Sequence, residues 1–158
     1  MKITNRKATK RLKRLFFMVS VFIAIATLIL FLLDLTIYAL GAIGVFSIWF
    51  LYFLVADYQY IEYIDEKNKI ILRYYKAVGF GQKEFNSIEF PMSILQNAHF
   101  ENSIFGKLSD LTLVVKTKRG VAEYPSVSLS AVPLADRKRI RESLIKIINS
   151  LHAREPQI

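Results

Sequence analysis

The stretch "LILFLLDLTIYALG" (28–41) contains Asp34, the only charged side chain in an apolar run that extends over residues 15–56. As one straight helix this run would reach roughly 63 Å, about twice the thickness of a hydrocarbon core. Two spans of about 20 residues each fit a bilayer, and Asp34 lies between them. We therefore predict a transmembrane helical hairpin with helices over 15–33 and 35–56.

Two roles for Asp34 are open. A turn frees backbone groups that need water or a capping side chain, and Asp is a good N-cap, so Asp34 would mark the transmembrane turn and cap the second helix. Acids inside membranes are usually functional, so the alternative is an ion- or proton-carrying carboxylate. The turn is favoured because Asp34 is central in the run but not central in either span.

The flanking charges predict the topology. Residues 1–14 form a basic arm that carries seven Lys or Arg and no acid. The positive-inside rule keeps this arm in the cytoplasm, and two crossings return residues 57–158 to the same side. The "AIA" at 24–26 resembles a signal-peptide cleavage site, but the apolar run continues well past it and no polar mature start follows. We therefore expect an uncleaved anchor, with both termini in the cytoplasm.

Small and aromatic residues in and after the second span predict a packing face and an interfacial belt. The small residues recur every three positions and predict a helix-packing face: Gly41, Gly44 and Ser47. This face either closes the hairpin against the first span or contacts another subunit. An interfacial aromatic belt is expected at the cytoplasmic exit, formed by Trp49, Tyr52, Tyr58, Tyr60 and Tyr63.

The pattern beyond the hairpin predicts a mainly β, or α+β, cytoplasmic domain over 57–152. Short runs of alternating or β-branched residues indicate strands at 58–64, 70–78, 84–90, 94–101, 111–117 and 121–129. Polar or glycine-containing turns separate them, including one at 79–82. A closing amphipathic helix is predicted over 133–151, with Ser130 as its cap, followed by a tail at 153–158.

This arrangement resembles the bacterial membrane-anchored pleckstrin-homology-like (PH-like) proteins. The resemblance rests on "YIDEKNKIILRYY" (63–75), "NSIEFPMSIL" (86–95), "LTLVVKTKRGVAEYPSVSL" (111–129) and the closing helix. It implies a partly open antiparallel barrel of seven strands, closed by the C-terminal amphipathic helix, in a protein of the bacterial inner (cytoplasmic) membrane. Six strand runs can be counted, so a seventh strand is missing from the sequence pattern.

The sequence contains no constellation that predicts catalysis, a cofactor or a metal. There are no cysteines, and the two histidines, His99 and His152, have no metal-ligand spacing. Phosphate-loop, nucleophile-elbow and dinucleotide motifs are also missing. The net charge of +9 belongs largely to the arm, since residues 57–158 hold fifteen basic and twelve acidic side chains. We therefore expect neither an enzyme nor a nucleic-acid-binding protein.

We expect a non-catalytic docking or assembly module that binds a membrane-protein partner or copies of itself. The alternative is an accessory subunit for ion or proton coupling through Asp34. Beyond the bilayer itself, anionic lipid headgroups or acidic protein surfaces are the plausible ligands. The resemblance to PH-like proteins allows contacts with an anionic partner at Lys67, Lys69, Lys116, Lys118 and Arg119.

Overall fold

The structure is a computed structural model that describes residues 1–78, 84–103 and 107–153. The order of helices and strands is β1 (Lys2–Thr4), α1 (Arg6–Leu32), α2 (Thr36–Ala56), β2 (Gln59–Glu66), β3 (Lys69–Lys76), β4 (Asn86–Pro91), β5 (Leu95–Ser103), β6 (Leu108–Thr117), β7 (Gly120–Glu123), β8 (Val127–Ser128) and α3 (Leu134–His152). A short 3-10 helix, Met92–Ile94, joins β4 to β5. The predicted turn at 79–82 and all of the tail except Ala153 lie outside the described residues.

The prediction of two apolar helices followed by a small β domain is confirmed. Both α1 and α2 are long and apolar enough to cross a membrane. Only 6% of the most apolar window of α1 and 17% of that of α2 is buried, which is unlike a helix in the core of a soluble domain. The two helices pack side by side, with the rings of Phe16 and Phe53 5.0 Å apart.

Asp34 lies in the turn, but the expectation that it caps α2 is wrong. The N-cap position of α2 is Leu35, and no side chain caps it. Asp34 instead ends α1 in the left-handed conformation, with φ of 56°. Its N–H donates to the Phe31 carbonyl at 3.2 Å, and the Leu35 N–H donates to the Leu30 carbonyl at 2.9 Å. These two bonds form a Schellman motif, in which glycine is the usual left-handed residue.

The β domain contains two antiparallel sheets. One has the order β1-β2-β3-β4; the other has the order β5-β6-β7, with β8 also paired to β6. The described residues form eight strands rather than the expected seven, and β1, which comes from before the helices, is not in the sequence pattern. The run at 121–129 also divides at Pro125 into β7 and β8. Residues 1–14, predicted to form one basic arm, are instead partly the strand β1 and partly the first turns of α1.

A single core joins the two sheets and α3. Its fully buried side chains come from all three: Ile61, Tyr63, Ile70, Leu72, Leu111, Leu113, Val127, Leu129, Ile140 and Leu144. In the described ranges no strand of one sheet pairs with a strand of the other, so the sheets are not closed into a barrel. Helix α3 begins after Pro133, and no side chain caps it.

Two sequence expectations are corrected by this packing. Ser130 does not cap α3, because its hydroxyl pairs with the Ser128 hydroxyl at 2.8 Å and accepts the Ser109 N–H at 3.3 Å. Tyr63 does not belong to an interfacial belt, because it is fully buried in the core. Its hydroxyl pairs with Ser143 of α3 at 3.1 Å.

Replacing Asp34 with Gly is expected to stabilise the hairpin by roughly 0.5–1 kcal/mol, because glycine adopts the left-handed conformation without the Cβ clash. Unfolding of the full chain in mild detergent, compared with wild type, measures the change. Asp34→Ala is the matched control and is expected to lower stability. If Asp34→Gly were as destabilising as Asp34→Ala, the left-handed turn would be contradicted.

Candidate interaction surfaces

The N-terminal strand fastens the start of α1 to the β domain. Strand β1 pairs antiparallel with β2, and Ile3 lies opposite Tyr63. Ile3 is buried and belongs to the shared core. The chain therefore leaves the domain at Asn5, passes along α1 and α2, and re-enters the same domain at β2. Both ends of the helical hairpin are attached to one sheet.

Asn5 holds the point where β1 ends and α1 begins. Its side-chain Nδ2 donates to the Gln59 carbonyl at 2.8 Å, and the Ile61 N–H donates to its Oδ1 at 2.8 Å. The residue is only 3% exposed. Because a buried amide left without partners is costly, this pairing selects one position for the start of α1.

Gln59 continues the network towards the second sheet. The Ser128 N–H donates to its Oε1 at 3.2 Å, and its Nε2 donates to Asp57 at 2.5 Å. Arg137 of α3 donates to the carbonyls of Val132 and Ser130, both at 2.8 Å. Burial lowers the pKa of Arg137. The end of the domain nearest α1 and α2 is thus held by buried and partly buried hydrogen bonds.

Charged and aromatic contacts surround this junction. Glu62 accepts from Lys2 at 2.7 Å and lies 3.6 Å from Arg73, so it joins β1, β2 and β3. The hydrogen bond from Lys2 holds the pKa of the Glu62 carboxyl below its usual value. The hydroxyls of Tyr52 and Tyr58 are 3.1 Å apart, and burial raises the pKa of Tyr58 to about 12.

The predicted anionic-partner residues lie at the opposite end of the domain. Strand β2 runs away from α2 for eight residues, up to about 26 Å, before the turn that holds Lys67. Strand β6 runs in the same sense, because its beginning at Ser109 contacts the residues beside Arg137. Its turn into β7 therefore also lies far from the helices. We call this end, with Lys67, Lys69, Lys116, Lys118 and Arg119, the distal end.

The 3-10 helix brings the two turns of the distal end together. The Met92 N–H donates to the Asn68 carbonyl at 2.9 Å, which places this helix beside the first turn. Ser93 of the 3-10 helix and Lys116 of β6 line one hollow of about 260 Å³, which places the same helix beside the turn from β6 to β7. Lys69 is paired with Glu89 at 3.1 Å. Lys67, Lys118 and Arg119 are exposed.

A hollow towards the distal end is lined by both histidines, which no motif in the sequence links. His99 of β5 and His152 of α3 line a hollow of about 330 Å³ together with Val114 and Val121. The hollow beside Lys116 shares Gln96 and His152 with it, so the two hollows are neighbours. No cluster of three or more metal-ligating side chains occurs in the described ranges.

The predicted packing face of α2, formed by Gly41, Gly44 and Ser47, is exposed. A Cβ placed on Gly41 or Gly44 would meet no atom within 4 Å, and both residues are exposed. The Ser47 hydroxyl donates to the Ile43 carbonyl at 2.9 Å in its own helix. Close packing of the hairpin does not use these two glycines, and their face is open to the surroundings.

In comparisons with known proteins, no family model, curated protein or solved structure matches this chain.

Asn5→Ala is expected to destabilise the β domain by roughly 2–4 kcal/mol, because it leaves the Gln59 carbonyl and the Ile61 N–H without their partners. Urea unfolding of the full chain in detergent, followed by far-UV circular dichroism, measures the loss. Asn86→Ala in β4 is the control, since Asn86 is exposed, and it should change stability by less than about 0.5 kcal/mol. Equal effects of the two substitutions would contradict the role given to Asn5.

Proposed function

We propose that this chain is a non-catalytic protein of the bacterial inner membrane, whose cytoplasmic β domain docks an acidic segment of a membrane-protein partner at the distal end. The observation that carries the proposal is the position of the five cations. They gather at the end of the domain that points away from the helices. A surface in that position is available to another protein and cannot reach the headgroups beside α1 and α2.

The proposed membrane anchoring is supported by two observations. The apolar side chains of α1 and α2 are largely exposed, and hydrocarbon is the environment in which such exposure is favourable. Strand β1 precedes α1 and completes the sheet, so removal of α1 as a signal peptide would also remove a core strand. An uncleaved hairpin is consistent with both.

The proposed orientation rests on charge and on β1. The cations of residues 6–14 lie on the domain side of α1, and the positive-inside rule assigns that side to the cytoplasm. Because β1 and β2 pair, the N-terminus and the β domain share one side of the bilayer if the hairpin crosses it. A PH-like identity for the domain draws support from its four-stranded sheet, second sheet and closing helix, although the sheets are not joined.

A different protein is a better partner for the distal end than a second copy. The five cations outnumber the carboxylates on the neighbouring strand positions, Asp65, Glu66, Glu89 and Glu123, by only one, so the distal ends of two copies would repel each other weakly. An acidic segment would be attracted by the same field. Self-association, the other arrangement expected from the sequence, would use the open face of α2 that carries Gly41 and Gly44.

Neutralising the distal cations in Lys67→Gln/Lys118→Gln/Arg119→Gln is expected to weaken partner binding tenfold or more, because the attraction is electrostatic. A photo-crosslinker at Thr117, which precedes Lys118 in the chain and is exposed, would trap the partner in native membranes, and raised salt should reduce the yield. The matched control neutralises three cations of α3, Lys138→Gln/Arg139→Gln/Lys146→Gln. The proposal fails if both triple variants crosslink equally well, or if the trapped protein is a second copy.

The alternative function is ion or proton coupling through Asp34. It draws on the exposure of Asp34 at the tip of the hairpin, where a carboxylate could meet water on the far side. Asp34→Asn and Asp34→Gly discriminate between the two functions. Docking predicts normal partner binding and unchanged ion-dependent growth in both variants, whereas a carrier loses its activity in both while still inserting.

A further inference from the structure

A hollow on α1 combines cations with apolar side chains. It has a volume of about 460 Å³ and is lined by Lys10, Lys13, Arg14, Phe17 and Met18. These residues follow a helical spacing of three and four, so they share one face of α1. The lining changes from charged to apolar along the helix, away from the β domain. We call this face the basic foot of α1.

The basic foot lies level with the end of α2. The rings of Phe16 and Phe53 are 5.0 Å apart, which fixes how the two antiparallel helices are aligned. Lys13 lies three residues before Phe16, and Ala56, the last residue of α2, lies three residues after Phe53. Because the helices are antiparallel, Lys13 and Ala56 lie at about the same height. The chain becomes polar immediately afterwards, at Asp57. In the proposed membrane anchoring, this height is the boundary between hydrocarbon and headgroups.

The basic foot carries three positive charges. In the part of the chain that the structure describes, no carboxylate forms an ion pair with Lys10, Lys13 or Arg14. The Lys13 ammonium lies 5.8 Å from the centre of the Phe17 ring. Phe17 and Met18 are 42% and 68% exposed, so an apolar ligand surface can cover them.

We infer that the basic foot binds an anionic phospholipid, with the phosphate at Lys10, Lys13 and Arg14 and the acyl chain against Phe17 and Met18. The cations alone would accept any phosphate, but the adjoining apolar wall favours a headgroup that carries a chain. The pairing of β1 with β2 supports the inference, because it fixes the start of α1 and so presents these cations on a folded helix. This site rests on the proposed membrane anchoring and is separate from the distal end.

Tryptophan quenching in nanodiscs tests the site in the full chain. Val21 lies on the same face one turn deeper and is 56% exposed, so Trp49→Phe with Val21→Trp places the only tryptophan beside the site. Phosphatidylglycerol and phosphatidylcholine with brominated acyl chains are compared at equal content. Preferential quenching by phosphatidylglycerol is expected. In Lys10→Gln/Lys13→Gln/Arg14→Gln the preference should fall about fivefold or more.

The control variant carries Lys67→Gln/Lys118→Gln/Arg119→Gln, which removes the same charge at the distal end and should keep the preference. Equal quenching by the two lipids in an inserted protein would overturn the lipid site and leave the anchoring intact. Loss of the preference in the control variant, or on addition of inorganic phosphate at constant ionic strength, would also overturn it. No quenching by either lipid would overturn the anchoring together with the site.

Discussion

The pairing of β1 with β2, secured by Asn5, is the constraint on which the rest of the structure depends. Three residues before the first helix complete a sheet whose other strands all follow the second helix. Because the side chain of Asn5 bonds to the backbone of β2, the first residues of α1 have one position relative to the domain. The helical hairpin is therefore an insertion within the β domain, attached at both of its ends.

Attachment at two points gives the domain a fixed orientation. A domain joined by one linker could rotate and present any face to the bilayer. Here β2 points away from α2 and β1 returns to α1, so the junction with Gln59 lies nearest the helices and the two basic turns lie farthest from them. The chain thus separates two cationic surfaces, the basic foot at the proposed membrane boundary and the distal end. We propose a different anionic partner for each surface.

The sequence predicts those features that depend on local patterns. Apolar length and the single charge of Asp34 indicate two helices, and alternation indicates most strands. The strand β1 is not predictable in this way, because Lys2–Thr4 becomes a strand only through β2, which lies more than fifty residues later. The sequence places Asp34 in the turn but does not show whether it caps α2 or ends α1, because Asp suits both an N-cap and the left-handed position. The five cations of the distal end lie on two turns that are distant in sequence, and the 3-10 helix contacts both turns only in the folded domain. Their proximity is therefore not predictable from local patterns.

Disulfide formation in native membranes tests the attachment of β1 most directly, since the natural chain has no cysteine. Thr4 lies opposite Glu62, so Thr4→Cys/Glu62→Cys should form a disulfide rapidly under mild oxidation. In Thr4→Cys/Glu89→Cys two strands separate the positions by roughly 14 Å, and no bond should form. Equal reactivity of the two pairs, or a Thr4→Cys thiol labelled only from the face opposite the β domain, would contradict the account.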